Sequence, residues 1–376
     1  MNPETGKKIR ENIAKVAARP AAEVAASIQR GWQDSQQAPP CAATGVSLLD
    51  MLMLGLLLPG RVTVIGARPA VGKTALALQI AEHVGVECDS DVVIVSLEMT
   101  GEALGRRFVV ARSIAHGRPL RDPNLWRDEA DSKDIFNGIS AWGQMPFFFI
   151  DEDRRRGAVH AAICAAVHAS RARGRRVGLV VVDYLQQITD DSAATREREV
   201  GAASVMLAEV AKRLGVAMLV LAQLNRSPAT SAEPRPPVVT DLRDSGQIEQ
   251  DADAVLLLHR PQQAQQQQQP GSPRAAQIIV GKSRHWPIEP GHVIAMENRG
   301  LRWFPAANAL IAGKKTRAKP KLGAGIPGYG LPAAVAAGWI VPDPQTGMLE
   351  LSLVLQQAQR QQVTERDLGV SSDGDW

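Results

Sequence analysis

The sequence predicts an α/β fold: a mainly parallel central sheet covered by helices, with a short helical arm before it and a small extension after it. Three observations point there. Short apolar runs recur through the middle of the chain, with helical stretches between most of them. Those runs are nearly continuous rather than alternating, as suits strands buried on both faces. One junction between such a run and a helix reads Gly66-Ala-Arg-Pro-Ala-Val-Gly72-Lys73-Thr74, which fits G-x-x-x-x-G-K-[ST].

At 376 residues the chain can bury one large core and a small appendage. Its 45% apolar and 22% charged content sets aside disordered and fibrous classes. A net charge of +4 is compatible with a polyanionic partner without requiring one. Cys41, Cys88 and Cys164 lack C-x-x-C spacing and are expected as free, buried thiols in a reducing compartment. The polar N-terminus has no signal-like apolar core, and the run from Val46 to Leu58 is too short for a bilayer. A cytoplasmic location without a membrane partner is therefore expected.

In chain order, residues 1–40 read as a helical arm and linker. Ile9, Ile13 and Val16 share one stripe, Val24 and Ile28 another, and Gln33 to Pro40 is polar and proline-ended. Such an arm packs on its own domain or docks on a neighbouring subunit. Residues 41–306 form the α/β domain. Its candidate strands are Val62–Ile65, Val92–Ser96, Phe147–Ile150, Val177–Val182, Val216–Leu221, Ala254–Leu258 and Gln277–Val280. Its clearest helices are Lys73–His83, Ala158–Arg171 and Glu197–Leu214. The glutamine-rich stretch Gln262 to Gln269 reads as an inserted surface loop. Residues 307–376 read as a basic, proline-containing linker and a weakly amphipathic extension with no assigned role.

Strand, glycine loop and helix N-terminus together make a phosphate cradle, with backbone N–H groups and the helix dipole facing the phosphates. Gly66, Arg68, Gly72, Lys73, Thr74 and Ala75 are the candidate nucleotide-binding residues. Lys73 adds a point charge, and the Thr74 hydroxyl is placed to ligate Mg²⁺. In parallel sheets ligands sit beyond the C-terminal strand ends. The sequence puts Glu98, Asp183 and Gln223 just past three candidate strands. Asp183, after an apolar run, resembles the Walker B carboxylate of a Mg²⁺ shell. Glu98 is the candidate base for an attacking water, because Tyr184 occupies the position where some nucleotide hydrolases place a glutamate. Gln223 either senses the γ-phosphate through its amide or merely ends a strand at solvent. Thr240 to Asp253 is a polar turn, suited to phosphate contact or to capping a helix. Lys282 and Arg284 form a solvated basic turn, or supply an arginine to another subunit's site.

In this order the pieces resemble the C-terminal ATPase domain of the DnaB family of replicative helicases, from about Thr44 to Phe304. The resemblance rests on Ala67-Arg-Pro, Ser96-Leu-Glu-Met99, Val182-Asp-Tyr-Leu-Gln186, Ala222-Gln-Leu-Asn-Arg226, Asp241-Leu-Arg-Asp-Ser-Gly246, Ile248-Glu-Gln-Asp-Ala-Asp253 and Gly281-Lys-Ser-Arg284. It implies a RecA-like P-loop core, ATP and Mg²⁺ bound between subunits of a homo-hexameric ring, and translocation along single-stranded DNA. A helicase loader or other replisome proteins are implied partners. Position by position, it makes Lys73 and Thr74 the phosphate and Mg²⁺ residues, Glu98 the catalytic base and Asp183 the Walker B carboxylate. Gln223 becomes the γ-phosphate sensor. Arg243, Asp244, Ser245 and Gly246 match the DNA-contacting loop, and Lys282 and Arg284 match a pair supplied in trans. Arg154–Arg156 and Arg171, Arg173, Arg175 and Arg176 are then solvated faces or a contact for DNA entering the ring. Typical members carry an N-terminal helical domain that contacts primase. Only about forty residues precede the core, so that domain is expected to be missing, as in a phage or plasmid version. Two other classes stay open: a RecA-like ATPase acting in recombination or helicase loading without unwinding, and an interaction protein that uses nucleotide only as an assembly switch.

Overall fold

The computed structural model describes residues 43–115, 132–225, 235–242, 245–261, 274–299 and 301–306 apart from Leu54 and Pro287, a few positions between 21 and 29, and an antiparallel pair, Ile340–Pro342 with Leu349–Leu351. The chain divides into two compact units, Met1–Pro40 and Cys41–Trp376. The stripes of the helical arm, the glutamine-rich insertion and the basic linker lie outside the described residues.

In the second unit, α1 (Ser47–Met53) precedes β1 (Val62–Ala67) and α2 (Lys73–Val86). Then come β2 (Asp91–Ser96), α3 (Gly101–Ala115), α4 (Ser132–Gly143), β3 (Phe147–Ile150), α5 (Arg156–Ala172) and β4 (Val177–Asp183). They are followed by α6 (Arg196–Leu214), β5 (Ala217–Gln223), α7 (Ser245–Asp251), β6 (Ala254–His259), β7 (Arg274–Ser283), β8 (Val293–Arg299) and β9 (Arg302–Pro305). One nine-stranded sheet has the order β3-β2-β4-β5-β1-β6-β7-β8-β9, with β1 at its middle. The strands from β3 to β6 pair in parallel, as expected. The candidate strand Gln277–Val280 is the centre of a longer β7 that runs back antiparallel along β6, and β8 and β9 extend this edge.

Period two partitions the strands between two cores. Ile65, Ile94, Val181, Leu219 and Leu256 face one layer, where α1 and α2 contribute Leu49, Met53, Leu76, Ile80 and Val84. Val64, Val93, Val180, Val220 and Leu257 face the other, against Val159, Ile163 and Val167 of α5 and Val200, Leu207 and Val210 of α6. Helix α6 begins where the Thr195 side chain accepts from the Arg198 amide, and ends at Gly215 with φ 64°. Trp142 packs against Phe108, Phe147 and Phe149 rather than standing open for base stacking.

The arginine runs around α5 are engaged within the chain. Arg155 pairs with Asp153 and Arg156 with Asp190, while Arg154 donates to Gln187. Arg171 donates to the Leu214 carbonyl and Arg176 to the Ser90 hydroxyl. Arg173 and Arg175 clamp Asp91 at 2.9 and 2.6 Å. Cys88 corrects the expectation of three free, buried thiols, because it is disulfide-bonded, while Cys164 is free but only half-buried. Distance along the chain does not reveal which cysteines meet in space.

Asp91 is 2% exposed and opens β2. Burial alone would raise its pKa, but hydrogen bonds from Arg175 and Ser170 and the charges of Arg175 and Arg173 hold it below its ordinary 3.8. A depressed carboxylate contributes stability that is full above the unfolded pKa and fades as pH falls through the folded one. Asp91→Asn is expected to cost about 2 kcal/mol at pH 7, because it leaves two guanidiniums without their charge. In denaturant titrations that gap should narrow once the pH falls below 3.8.

Candidate active site

The glycine loop joins β1 to α2, and its residues meet different constraints. Gly66 is still strand: a Cβ there would lie 2.8 Å from Leu242, 3.0 Å from Leu257 and 3.1 Å from Leu224, so packing rather than phosphate access excludes a side chain. Burial would raise the Asp241 pKa, but hydrogen bonds from Arg235 and the Val238 amide hold it below its ordinary value, with a lesser contribution from Arg68. Burial lowers the His259 pKa, and the Arg68 charge adds to it. Ala70 has φ 62° and Gly72 has φ 110°, a left-handed turn that puts Gly72 at the helix N-cap. Lys73 and Thr74 open α2, where the first amides have no partner within the helix, and Ala75 is buried beneath them.

The parallel register brings the expected strand-end residues to this same edge. Ser96 of β2 pairs with Asp183 of β4, and Ala67 of β1 pairs with Gln223 of β5. The Thr74 hydroxyl donates to Asp183 Oδ2 at 2.7 Å. The other carboxylate oxygen, Oδ1, is buried without a hydrogen-bond partner. Burial raises the Asp183 pKa, opposed by the Thr74 hydrogen bond and the Lys73 charge, and Glu98 raises it further. Burial likewise lowers Lys73, opposed by Asp183 and Glu98. Lys73 Nζ lies 4.8 Å from the centre of the Tyr184 ring. Glu98 is exposed just past β2, close enough that both buried groups feel its charge. Lys73, Thr74, Asp183 and Glu98 thus form one cluster, and Gln223 ends β5 at the same edge of the sheet.

Gln223 is also tied to the segment that follows β5. Its amide donates to Gln186 Oε1 at 3.2 Å, and Leu224 bridges Leu242. Asn225 donates to the Asp241 carbonyl at 2.8 Å, and Arg235 pairs with the Asp241 carboxylate. Arg243 and Asp244 lie outside the described residues. Ser245 and Gly246 open α7, and nothing stands within 4 Å of where a Gly246 Cβ would be.

Lys282 and Arg284 lie at the other end of the sheet. Because β7 is antiparallel, Ser283 pairs with Ala254, which sits beside Thr63 near the foot of β1. Gly281 is the extra residue of a bulge, where the β6–β7 register shifts between Val255 and Leu256. Lys282 Nζ donates to the Glu249 carbonyl, and burial followed by Arg284 lowers its pKa. Arg284 is half exposed, with Nη1 3.8 Å from Asp253 Oδ1. Asp253 is 6% exposed, accepts from the Val62 amide at 3.0 Å and lies 2.9 Å from His285 Nε2. Six residues of β1 therefore separate Arg284 from the glycine loop of its own chain, a span of about 20 Å.

Sequence reasoning missed Trp303, whose indole N–H donates to the Gly72 carbonyl at 3.1 Å, and the Asp253 carboxylate that fastens β1. Neither carries a local signal: a tryptophan in a short strand and an aspartate before a strand are both commonplace. Among the described residues no group of three or more His, Cys, Asp or Glu could hold a metal, and no helix is long and apolar enough to cross a membrane.

Comparisons with known proteins agree with this geometry. Residues 42–298 match the family described as DnaB-like helicase C terminal domain. The chain is 35% identical over 254 residues to a replicative DNA helicase DnaB of Leifsonia xyli, covering 65% of this chain and 52% of that protein. It is 34% identical over 246 residues to a probable plasmid replicative DNA helicase of Chlamydia psittaci, covering 64% and 51%. It therefore spans about half the length of the curated relatives it matches. Among solved structures, the ATPase domain of G40P superposes with TM-score 0.61 at 24% identity, covering 77% of this chain and 99% of that one. A DnaB-like replicative helicase studied with primase superposes with TM-score 0.57 at 23% identity, covering 74% and 65%. At those identities the superpositions speak for the fold alone, and it is the fold the sequence predicted. With most of its length matched and the strand–loop–helix site assembled as described, this chain belongs to the family of DnaB-like helicase C-terminal domains.

Proposed function

We propose that this domain is the motor of an ATP-driven, ring-shaped replicative helicase, in which hydrolysis between subunits drives movement along single-stranded DNA and separation of the duplex. The observation that carries this reading is the placement of the glycine loop and Arg284 at opposite ends of β1. No chain brings its own arginine to its own triphosphate, whereas a ring of identical chains sets each finger beside the next loop. A homo-hexamer is the assembly we infer, in the cytoplasm, with a helicase loader or other replisome proteins as partners.

Within each site, Lys73 and the α2 amides bind the β- and γ-phosphates. The residues present fit Mg²⁺: the Thr74 hydroxyl and Asp183 would hold it, since Asp183 Oδ1 is buried without a partner and Oδ2 already meets Thr74. One carboxylate and one hydroxyl suit an ion that completes its shell with water and substrate phosphates. When bound, that ion neutralises phosphate charge. Glu98, exposed at the cluster's rim, orients and deprotonates the attacking water. Gln223 senses the γ-phosphate, and its connection through Leu224 and Asn225 to Asp241 and Leu242 leads to the DNA-contacting loop at Arg243–Gly246. Arg284, with Lys282 beside it, stabilises charge developing on the neighbour's γ-phosphoryl group.

Unwinding of a forked duplex tests this reading. Wild type should unwind with 5′→3′ polarity, and Lys73→Ala should abolish both unwinding and ATP turnover. Arg284→Ala should lower turnover by roughly 10³-fold. Glu98→Gln should keep nucleotide affinity while losing turnover. ATP turnover with no strand separation on any fork would favour an ATPase that loads or rearranges DNA-bound proteins instead.

A further inference from the structure

We propose that Trp303 is a positioning residue of the phosphate loop: it fixes the Gly72 carbonyl and so aims the Lys73 amide at the bound phosphates. This rests on reading Gly66–Thr74 as the nucleotide-binding loop. Trp303 lies in β9, beyond residue 298 where the family match ends.

The Gly72 carbonyl accepts two hydrogen bonds. One comes from the Leu76 amide in the first turn of α2 at 3.1 Å, the other from Trp303 Nε1 at 3.1 Å. Two donors occupy both lone pairs of that oxygen. The Gly72–Lys73 peptide is planar and trans, so a carbonyl directed along α2 sends the Lys73 N–H the opposite way, out of the helix N-terminus. An N–H aimed there is what an anion at a helix start requires. The lock is needed because Gly72, at φ 110° and ψ 27°, occupies a region where glycine has several accessible conformations. Trp303 also covers the glycine directly: a Cβ on Gly72 would lie 3.2 Å from its Nε1 and 3.3 Å from its Cζ2.

The indole itself is held from the other side. Trp303 is 1% exposed. Its amide donates to Gln79 Oε1 at 2.9 Å, and Gln79 Nε2 donates back to the Trp303 carbonyl at 3.0 Å. One turn on, Glu82 pairs with Arg302 and with Arg112. Gln79 and Glu82 are three residues apart on one face of α2, so β9 is stitched along the helix that the glycine loop begins. The indole N–H thus stays in place whether or not phosphate is present, which is the condition for a preorganised anion site.

The test removes the N–H while keeping the ring. In the full-length chain, Trp303 is replaced by 3-benzothienylalanine, where sulfur stands in for N–H, and in parallel by Trp303→Phe. Binding of ADP with Mg²⁺, the KM and kcat for ATP, and the melting temperature without nucleotide are compared with wild type and Lys73→Ala. The benzothienyl protein should melt with wild type yet bind ADP roughly fivefold more weakly, the loss expected for one hydrogen bond. Its KM should rise by the same factor, with kcat at saturation within about twofold of wild type, because the phosphate contact exists in ground and transition states alike. If Lys73→Ala loses nucleotide and the benzothienyl protein binds as wild type, the proposal is overturned while the nucleotide-loop reading stands. A lower melting temperature for Trp303→Phe with unchanged ADP affinity also overturns it, marking Trp303 as packing only. If wild type and Lys73→Ala bind ADP equally, the nucleotide-loop reading falls and the proposal with it.

Discussion

The structure depends on β1 having nowhere to meet solvent except at its ends. It is the middle strand of nine and all six of its residues are buried, with helices against both faces. Chemistry on such a strand must happen where the chain leaves it. At the C-terminal end the turn into α2 gathers free amides and Lys73. At the foot, the Asp253 carboxylate accepts from the Val62 amide and is ringed by Arg61, Arg284 and His285. A buried carboxylate is tolerated there because its oxygens are met by hydrogen bonds and cations. The same strand that presents the phosphate loop is therefore anchored to the turn that carries Arg284, and a rigid, fully packed strand is a means of relating the two ends.

At the phosphate end, burial works against the charges that the chemistry uses. It pushes Asp183 up and Lys73 down, and each group restrains the shift of the other. Glu98, itself exposed, adds to the rise of Asp183 and opposes the lowering of Lys73. Low dielectric strengthens whatever bonds are made to these groups, so the triphosphate and cation proposed for this site would meet groups already short of compensating charge. The Thr74–Asp183 hydrogen bond holds the loop against β4 in the meantime.

Much of this was legible in the sequence because the signals were local. Continuous apolar runs marked β1 to β6, and Gly66–Thr74 announced a strand–loop–helix junction. The strand-end rule led to Glu98, Asp183 and Gln223 before any register was known. What stayed hidden depends on contacts between residues far apart in the chain. The direction of β7 follows from its pairing with β6, and it alone puts Arg284 opposite the loop. Nothing near Asp91 tells that Arg173 and Arg175 will close on it, or that Gly66 is demanded by three leucines. The indole of Trp303 looks ordinary until β9 is seen against α2. The pairing of Cys88 was misread for the same reason.

The central claim is that a site needs the loop of one chain and the arginine of another. Mixing two inactive variants tests it most directly: Lys73→Ala keeps Arg284, and Arg284→Ala keeps the loop. Each alone should show almost no ATP turnover. Combined under conditions that allow subunit exchange, they should regain turnover at interfaces that join an intact Lys73 to an intact Arg284, with a maximum near equal proportions. If subunit exchange is verified and the mixture turns over no more ATP than the two variants apart, the shared-site account is contradicted.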